Sequence, residues 1–296
     1  MKDNSMLTER LLSLIERIEP LIPQTASAVD FEKYSAFRWM PDQKWCPAHL
    51  IPIQQFAAVQ FTELIGVDEK IATLRQNTEQ FLHQLPANNV LLTGSRGTGK
   101  SSLIKATLTE FAKDGLKMVE IDRDALTDLN QLISLLSQAP YQFIIFCDDL
   151  SFESDDSSYK SLKALLDGSL MNPPDNILFY ATSNRRHLLP EYMSDNQSAK
   201  MDGKGEIHLG EAIEEKISLS ERFGIWLTFY SFSQKEYLDV IQNWITILDQ
   251  SIEFTQEVEQ EALQFALLRG SRSGRVAMQF AKSCVGAHQL KILNKE

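Results

Sequence analysis

NVLLTGSRGTGKSSL, residues 89–103, changes character twice over a short span. NVLLT (89–93) has the length and apolar character of a short buried strand. GSRGTGKS (94–101) satisfies the pattern G-x-x-x-x-G-K-S/T. Ile104, Leu108 and Phe111 then mark a helix, with Gly115 as its stop. A strand that passes through a glycine loop into a helix is the context this pattern demands. A merely tight turn explains the glycines and leaves Lys100 and Ser101 without a reason. From average composition, a chance match in such a chain is on the order of one per cent.

The physical chemistry of the loop is specific. Glycines let the backbone wrap closely around a polyphosphate, with the amides from Gly97 to Ser101 turned inward. The helix N-terminus adds partial positive charge. Lys100 brings a cation to the outer phosphates, and the Ser101 hydroxyl is suited to ligate Mg²⁺. Gly94, Gly97, Thr98, Gly99, Lys100, Ser101 and Ser102 are the expected phosphate-binding residues.

The flanking sequence alternates in the same way. LKMVEI (116–121), FIIFC (143–147), NILFYAT (176–182) and IWLTFY (225–230) read as further strands. Leu126, Leu129, Leu132, Ile133 and Leu136 mark a helix ended by Pro140; Tyr159, Leu162, Leu165 and Leu166 mark another before Gly168. Short apolar strands alternating with amphipathic helices predict an α/β fold, a parallel sheet covered on both faces. After residue 230 the pattern turns helical. Ser233 and Glu236 make a capping box, and Phe232 with Tyr237 fits the hydrophobic staple. Helices are expected through Val240, Ile241, Trp244, Ile245 and Leu248, over 256–269 to Gly270, and over 273–290.

Three segments follow: an N-terminal helix and arm (1–60), an αβα core (61–230) and a helical lid (231–296). Leu7, Leu11, Leu14, Ile15 and Ile18 recur at helical spacing up to Pro20. Pro20, Pro23, Pro41, Pro47 and Pro52 then predict a mostly irregular arm. The polar, glycine-bearing stretch 190–210 is expected to be a surface loop.

Bulk properties exclude several classes. No apolar run approaches the roughly 18 residues of a membrane span, and Glu9, Arg10, Glu16 and Arg17 interrupt the first apolar stretch, so it is no secretion signal. The three cysteines, Cys46, Cys147 and Cys284, are odd in number and far apart, and the CxxH pair Cys46 and His49 lacks a second ligand pair. Together these predict a cytoplasmic protein without a membrane association. A net charge of −11 argues against a broadly basic nucleic-acid surface.

FIIFCDDL (143–150) ends a core-forming run on two adjacent acids. A bound Mg-nucleotide needs an acidic group at the end of a neighbouring strand. Asp148 is expected to hold the metal with Ser101, and Asp149 to polarise a water for attack on the γ-phosphate.

At this point the chain resembles the AAA+ ATPases. GxxGxGK followed by Ser or Thr is the usual form of their phosphate loop. LIGVDEKIATLRQNTEQFL resembles the segment that cradles adenine, which puts Ile65, Gly66 and Val67 at the base. NILFYATSN resembles the sensor-1 strand ending on Asn184, LSERFG the arginine-finger segment with Arg222, and SRSGRVAMQF the sensor-2 helix with Arg275. ANNVLLTGSRGTGKSSL, FIIFCDDLSFE, YATSNRRHLLPE and EEKISLSERFG are similar, more closely, to a bacterial AAA+ family described only as a domain of unknown function. The resemblance spans about residues 60–285. It implies a P-loop NTPase with a five-stranded parallel sheet in the order 5-1-4-3-2 and a helical lid. It also implies ATP and Mg²⁺ as cofactors, hydrolysis through Lys100, Asp149, Asn184 and Arg222, and a homo-oligomeric ring or hexamer acting on an unknown protein partner.

Physical readings stand beside each part. Asn184 can orient water or phosphate because an amide both donates and accepts. Arg275 lies near a helix N-terminus, which disfavours a cation and so suggests an anionic partner; Arg272 competes for that place. Two departures matter. Asp149 stands where a longer glutamate is usual, which predicts slower hydrolysis, with Glu153 as a weaker substitute base. DRDALTDLNQ (122–131) has neither aromatic residue nor glycine, which argues against peptide threading. The leading expectation is an oligomeric Mg-dependent ATPase. The alternatives are an ATP-gated switch with little turnover and a nucleic-acid loader or remodeller.

Overall fold

Apolar runs too short for a helix pair here into one sheet. The computed structural model describes residues 29–43, 46–152, 157–167, 174–185, 200–201, 207–208 and 221–294. In chain order the elements are β1 (Ala36–Met40), β2 (His49–Pro52), α1 (Asp68–Leu82), β3 (Val90–Gly94), α2 (Lys100–Phe111), β4 (Leu116–Glu120), α3 (Leu129–Leu136), β5 (Gln142–Cys147) and α4 (Ser157–Asp167). They continue with β6 (Ile177–Ser183), β7 (Lys200–Met201), β8 (Ile207–His208), β9 (Ile225–Phe229), α5 (Gln234–Leu248), α6 (Gln256–Arg269) and α7 (Gly274–Leu293).

The main sheet runs β2-β1-β4-β5-β6-β3-β9. From β9 to β4 the strands are parallel, and their succession is the expected 5-1-4-3-2 order. The expectation of five strands is corrected to seven. β1 adds to β4 in parallel and β2 folds back antiparallel on β1, so part of the proline-rich arm is sheet rather than irregular chain. The prolines did not prevent this because Pro41 falls just beyond β1 and Pro52 closes an edge strand, where a missing N–H is tolerated. Phe37 and Trp39 are fully buried, and Trp39 Nε1 donates to Asp128 Oδ2 at 3.2 Å. Burying two such rings stabilises the added strands by several kcal/mol, about 1.5–3 each.

Alternate residues of each central strand enter opposite cores. Phe143, Ile145 and Cys147 join Leu132, Leu162 and Phe179 on one face. Ile144 and Phe146 join Leu103, Ile104 and Phe111 on the other. The last three helices form their own core around Tyr237, Ile241, Ala277 and Phe280. The capping box at Ser233 and Glu236 is present, and Phe232 packs on the cluster that contains Tyr237. Gly270 closes α6 in the left-handed conformation, φ 66°, and Ser273 caps α7. The helix expected at residues 7–18, and Glu153, lie outside the described residues. Of the stretch 190–210, only the β7–β8 antiparallel pair is described.

Candidate functional site

Because β3, β5 and β6 run parallel, their C-terminal ends meet at one pole of the sheet. The loop after β3 turns on glycines that no other residue could replace. Gly94 has φ 127°, and a Cβ there would lie 1.8 Å from the Phe229 carbonyl oxygen of β9. Gly97 has φ 71°, and its Cβ would come within 2.8 Å of Ser273 Cβ. Thr98 Oγ1 donates to the Ser95 carbonyl at 2.8 Å and tightens the loop. The first amides of α2 have no intrahelical acceptor, which leaves a ring of donors and the positive end of the helix for an anion.

Lys100 is 5% exposed at the centre of this loop. Its Nζ donates to the carbonyls of Gly94 (2.8 Å) and Ser95 (2.7 Å) and to Asn184 Oδ1 (3.0 Å). Burial holds its ammonium below the usual lysine range, while Asp148 and Asp149 pull it back up. A buried cation with exchangeable partners is suited to a phosphate oxygen, which would satisfy the charge better than carbonyls do.

The acidic tip is organised across the strands. Cys147 pairs with Ala181, so the next residues along β5 and β6 are Asp148 and Thr182. Asp148 Oδ1 accepts from Ser101 Oγ at 2.6 Å and from Thr182 Oγ1 at 2.5 Å. Asp149 adopts φ 53°, a left-handed turn that aspartate tolerates better than most residues. Its carboxylate accepts from Asn184 Nδ2 at 2.6 Å, and Arg96 lies 3.9 Å from its other oxygen. Among the described residues no group of three His, Cys, Asp or Glu could hold a metal unaided. Ser101 and Asp148 suit Mg²⁺ instead, an ion commonly bound by one or two protein oxygens together with phosphates and water.

A cavity of about 620 Å³ opens over these groups, between the sheet pole and the last helices. Gly97, Thr98, Gly99, Ser101 and Ser102 line it, as do Asp148, Asp149 and Asn184. Its apolar side comes from Ile65, Val67, Trp244 and Met278, a surface suited to a flat ring. Gly66, φ 74°, makes the turn between Ile65 and Val67. Arg275 lines the cavity and Arg272 does not.

Three features were not expected from the sequence: the Thr182 bridge, the Trp244 wall and a bond from the Gly274 amide to the Gly97 carbonyl at 2.7 Å. The β5–β6 register would have found the first. Gly66, Gly94 and Arg222 are the expected site residues that do not line this cavity. Gly94 pairs with Phe229 and Val90 with Ile225, so the start of β9 lies about 13 Å from the loop at 3.3 Å per residue. Arg222 precedes that strand by three residues, in the turn that leads into it.

The architecture is an α/β fold, a mostly parallel sheet with helices on both faces and a helical C-terminal part. Two point variants of Thermotoga maritima RuvB superpose with a TM-score of 0.50 at 15% identity, covering 75% of this chain and 63% of theirs. The parent structure, the T. maritima RuvB Holliday junction branch migration motor, gives 0.49 at 15% identity with the same coverage. The chain thus spans under two thirds of the length of these RuvB chains. It belongs to the family described as "Protein of unknown function (DUF815)", whose model matches residues 32–288. No curated protein matches it. No helix among the described residues is long and apolar enough to cross a membrane.

Proposed function

We propose that this chain is a Mg²⁺-dependent ATPase of the AAA+ type that works as a homo-oligomer on a protein partner. The observation that carries the reading is the 2.6 Å bond from Ser101 to Asp148 beside the buried Lys100. In this reading the loop from Gly94 to Ser102 holds the phosphates, and Ser101 and Asp148 hold the magnesium. Ile65, Gly66, Val67 and Trp244 receive the adenine, and Arg275 meets the outer phosphate from the lid. Asp149 and Asn184 orient the attacking water. Arg222, just before β9 and not lining this cavity, would serve the cavity of a neighbouring copy. An isolated subunit is then nearly inactive.

The test is steady-state phosphate release with Mg-ATP. Assembled protein should exceed the roughly 10⁻⁴ s⁻¹ of an unassisted site by at least a hundredfold, and Lys100→Ala should abolish both turnover and binding. A wild-type protein with no affinity for Mg-ATP would end the reading.

One observation favours a second reading, an ATP-gated switch with little turnover. The short Asp149 side chain is engaged by Asn184 at 2.6 Å. Tight Mg-ATP binding with phosphate release near the unassisted rate would select it. Likeness to a DNA motor in fold alone gives DNA a place only as an outcome: stimulation by DNA that fades with salt would make DNA the partner.

A further inference from the structure

Thr182 looks at first like an ordinary β-branched residue in a buried strand. Its hydroxyl does more than its class requires. It donates its one proton to Asp148 Oδ1 and, through a lone pair, accepts the Asp149 amide at 2.9 Å. The Thr182 carbonyl accepts the Leu150 amide at 2.7 Å. Thr182 is 2% exposed, so no solvent competes for these bonds. One residue of β6 therefore fixes all three residues of the turn that follows β5.

The directions of these bonds carry the argument. A hydroxyl has a single proton, and here it goes to Asp148; the lone pair facing Asp149 is fixed as a consequence. Asp148 Oδ1 thereby receives two hydroxyls, from Ser101 on the loop and Thr182 on the strand. Asp149 stands at φ 53°, and Thr182 supports both its amide and that of the next residue.

We infer that Thr182 is a positioning residue that sets the metal-holding acid and the water-orienting acid together. The inference rests on the Mg-ATPase reading of this site. Thr182 touches no reacting atom; it acts through Asp148 and Asp149. Removing its hydroxyl frees the Asp148 carboxylate to rotate about Ser101 and releases the Asp149 turn. Outer-shell partners of metal-binding groups typically contribute 10- to 100-fold in metal affinity or activity.

The experiment compares wild type, Thr182→Val and Thr182→Ser as assembled full-length protein, with Lys100→Ala as the inactive reference. Valine keeps the shape without the hydroxyl, and serine keeps the hydroxyl without the methyl. Turnover is measured against ATP at saturating Mg²⁺, and against Mg²⁺ at fixed ATP. Thr182→Val should lower kcat about tenfold or more and raise the Mg²⁺ needed for half-maximal rate about tenfold, with KM for Mg-ATP within about threefold. Thr182→Ser should recover both parameters to within about threefold. A valine variant with wild-type kcat and Mg²⁺ requirement overturns the inference, as does a serine variant as impaired as valine. If Thr182→Val does not fold, Thr182→Cys, of similar volume and weaker donor strength, carries the same comparison. An active wild type with an indifferent valine variant sinks the role of Thr182 alone. A wild type that binds no Mg-ATP sinks the site reading as well.

Discussion

The two poles of the central sheet are built from the same strands and differ in how their polar groups are used. At the C-terminal pole, Lys100, Ser101, Asp148, Asp149, Thr182 and Asn184 bond to one another. At the N-terminal pole the polar side chains bond mainly to backbone, although Asn77 Nδ2 also donates to Tyr180 Oη. Asn176 Nδ2 donates to the carbonyls of Leu136, Ala139 and Tyr141, and Asn77 exchanges bonds with the backbone of Asn88. Asn89 Oδ1 likewise accepts the Phe179 amide. The N-terminal pole also carries the larger cavity, about 930 Å³, with prolines Pro86, Pro140 and Pro174 and, among its described lining, one charged residue, Asp175. The larger cavity is thus not the one that Lys100, Asp148 and Asp149 line. Lys100 also donates to the Gly94 and Ser95 carbonyls, so what sets its pole apart is the two adjacent carboxylates within the side-chain network, not freedom from backbone bonds. Parallel strands collect such groups where their carboxyl ends meet.

The sharpest test is at Arg222, which precedes β9 and does not line the cavity. Arg222→Ala should lower turnover of the assembled protein by roughly 10³ to 10⁵ while ATP affinity stays within about threefold. Mixing that variant with Lys100→Ala copies should restore part of the rate, because each supplies what the other lacks. Unchanged turnover in Arg222→Ala would remove this residue from the reaction. A second measurement weighs the active pole's backbone. Gly94→Ala would drive a methyl into the Phe229 carbonyl at a φ of 127°, and urea unfolding should show a loss of about 3 kcal/mol or more. The smallest effect is expected at Arg96. Its pairing with Asp149 spans 3.9 Å, and the side chains are 82% and 56% exposed. Arg96→Ala should therefore move stability by less than about 0.5 kcal/mol, less still at high salt. A larger change would mean that the cluster extends further into solvent than its bonds indicate.

Much of this pole was legible in the sequence because its signals are local. The pattern GSRGTGKS, the apolar run ending in Asp148 and the strand ending near Asn184 each declare themselves within ten residues. The α5 capping box and the Gly270 stop are local for the same reason. What escaped depends on pairing between distant segments. β1 and β2 are five and four residues long and flanked by prolines, and they become strands only because Ala36–Arg38 finds an edge at Met118–Glu120. Thr182 reads as a β-former until the register sets it beside Asp148. Trp244 reads as helix core until α5 is laid against the loop. The CxxH pair shows the converse: Cys46 Sγ and His49 Nδ1 approach to 3.6 Å, yet the imidazole also lies 2.9 Å from the Pro47 carbonyl.

The amide of Gly274 on the Gly97 carbonyl has a mechanical consequence. Helix α7 is about 30 Å long at 1.5 Å per residue, and this bond grips it within its first turn. Both partners are peptide groups, so most side-chain replacements leave the bond in place, whereas Gly274→Pro removes its N–H and would break it. A shift of the loop at Gly97 is therefore passed directly to the start of α7 and to the helices packed on it.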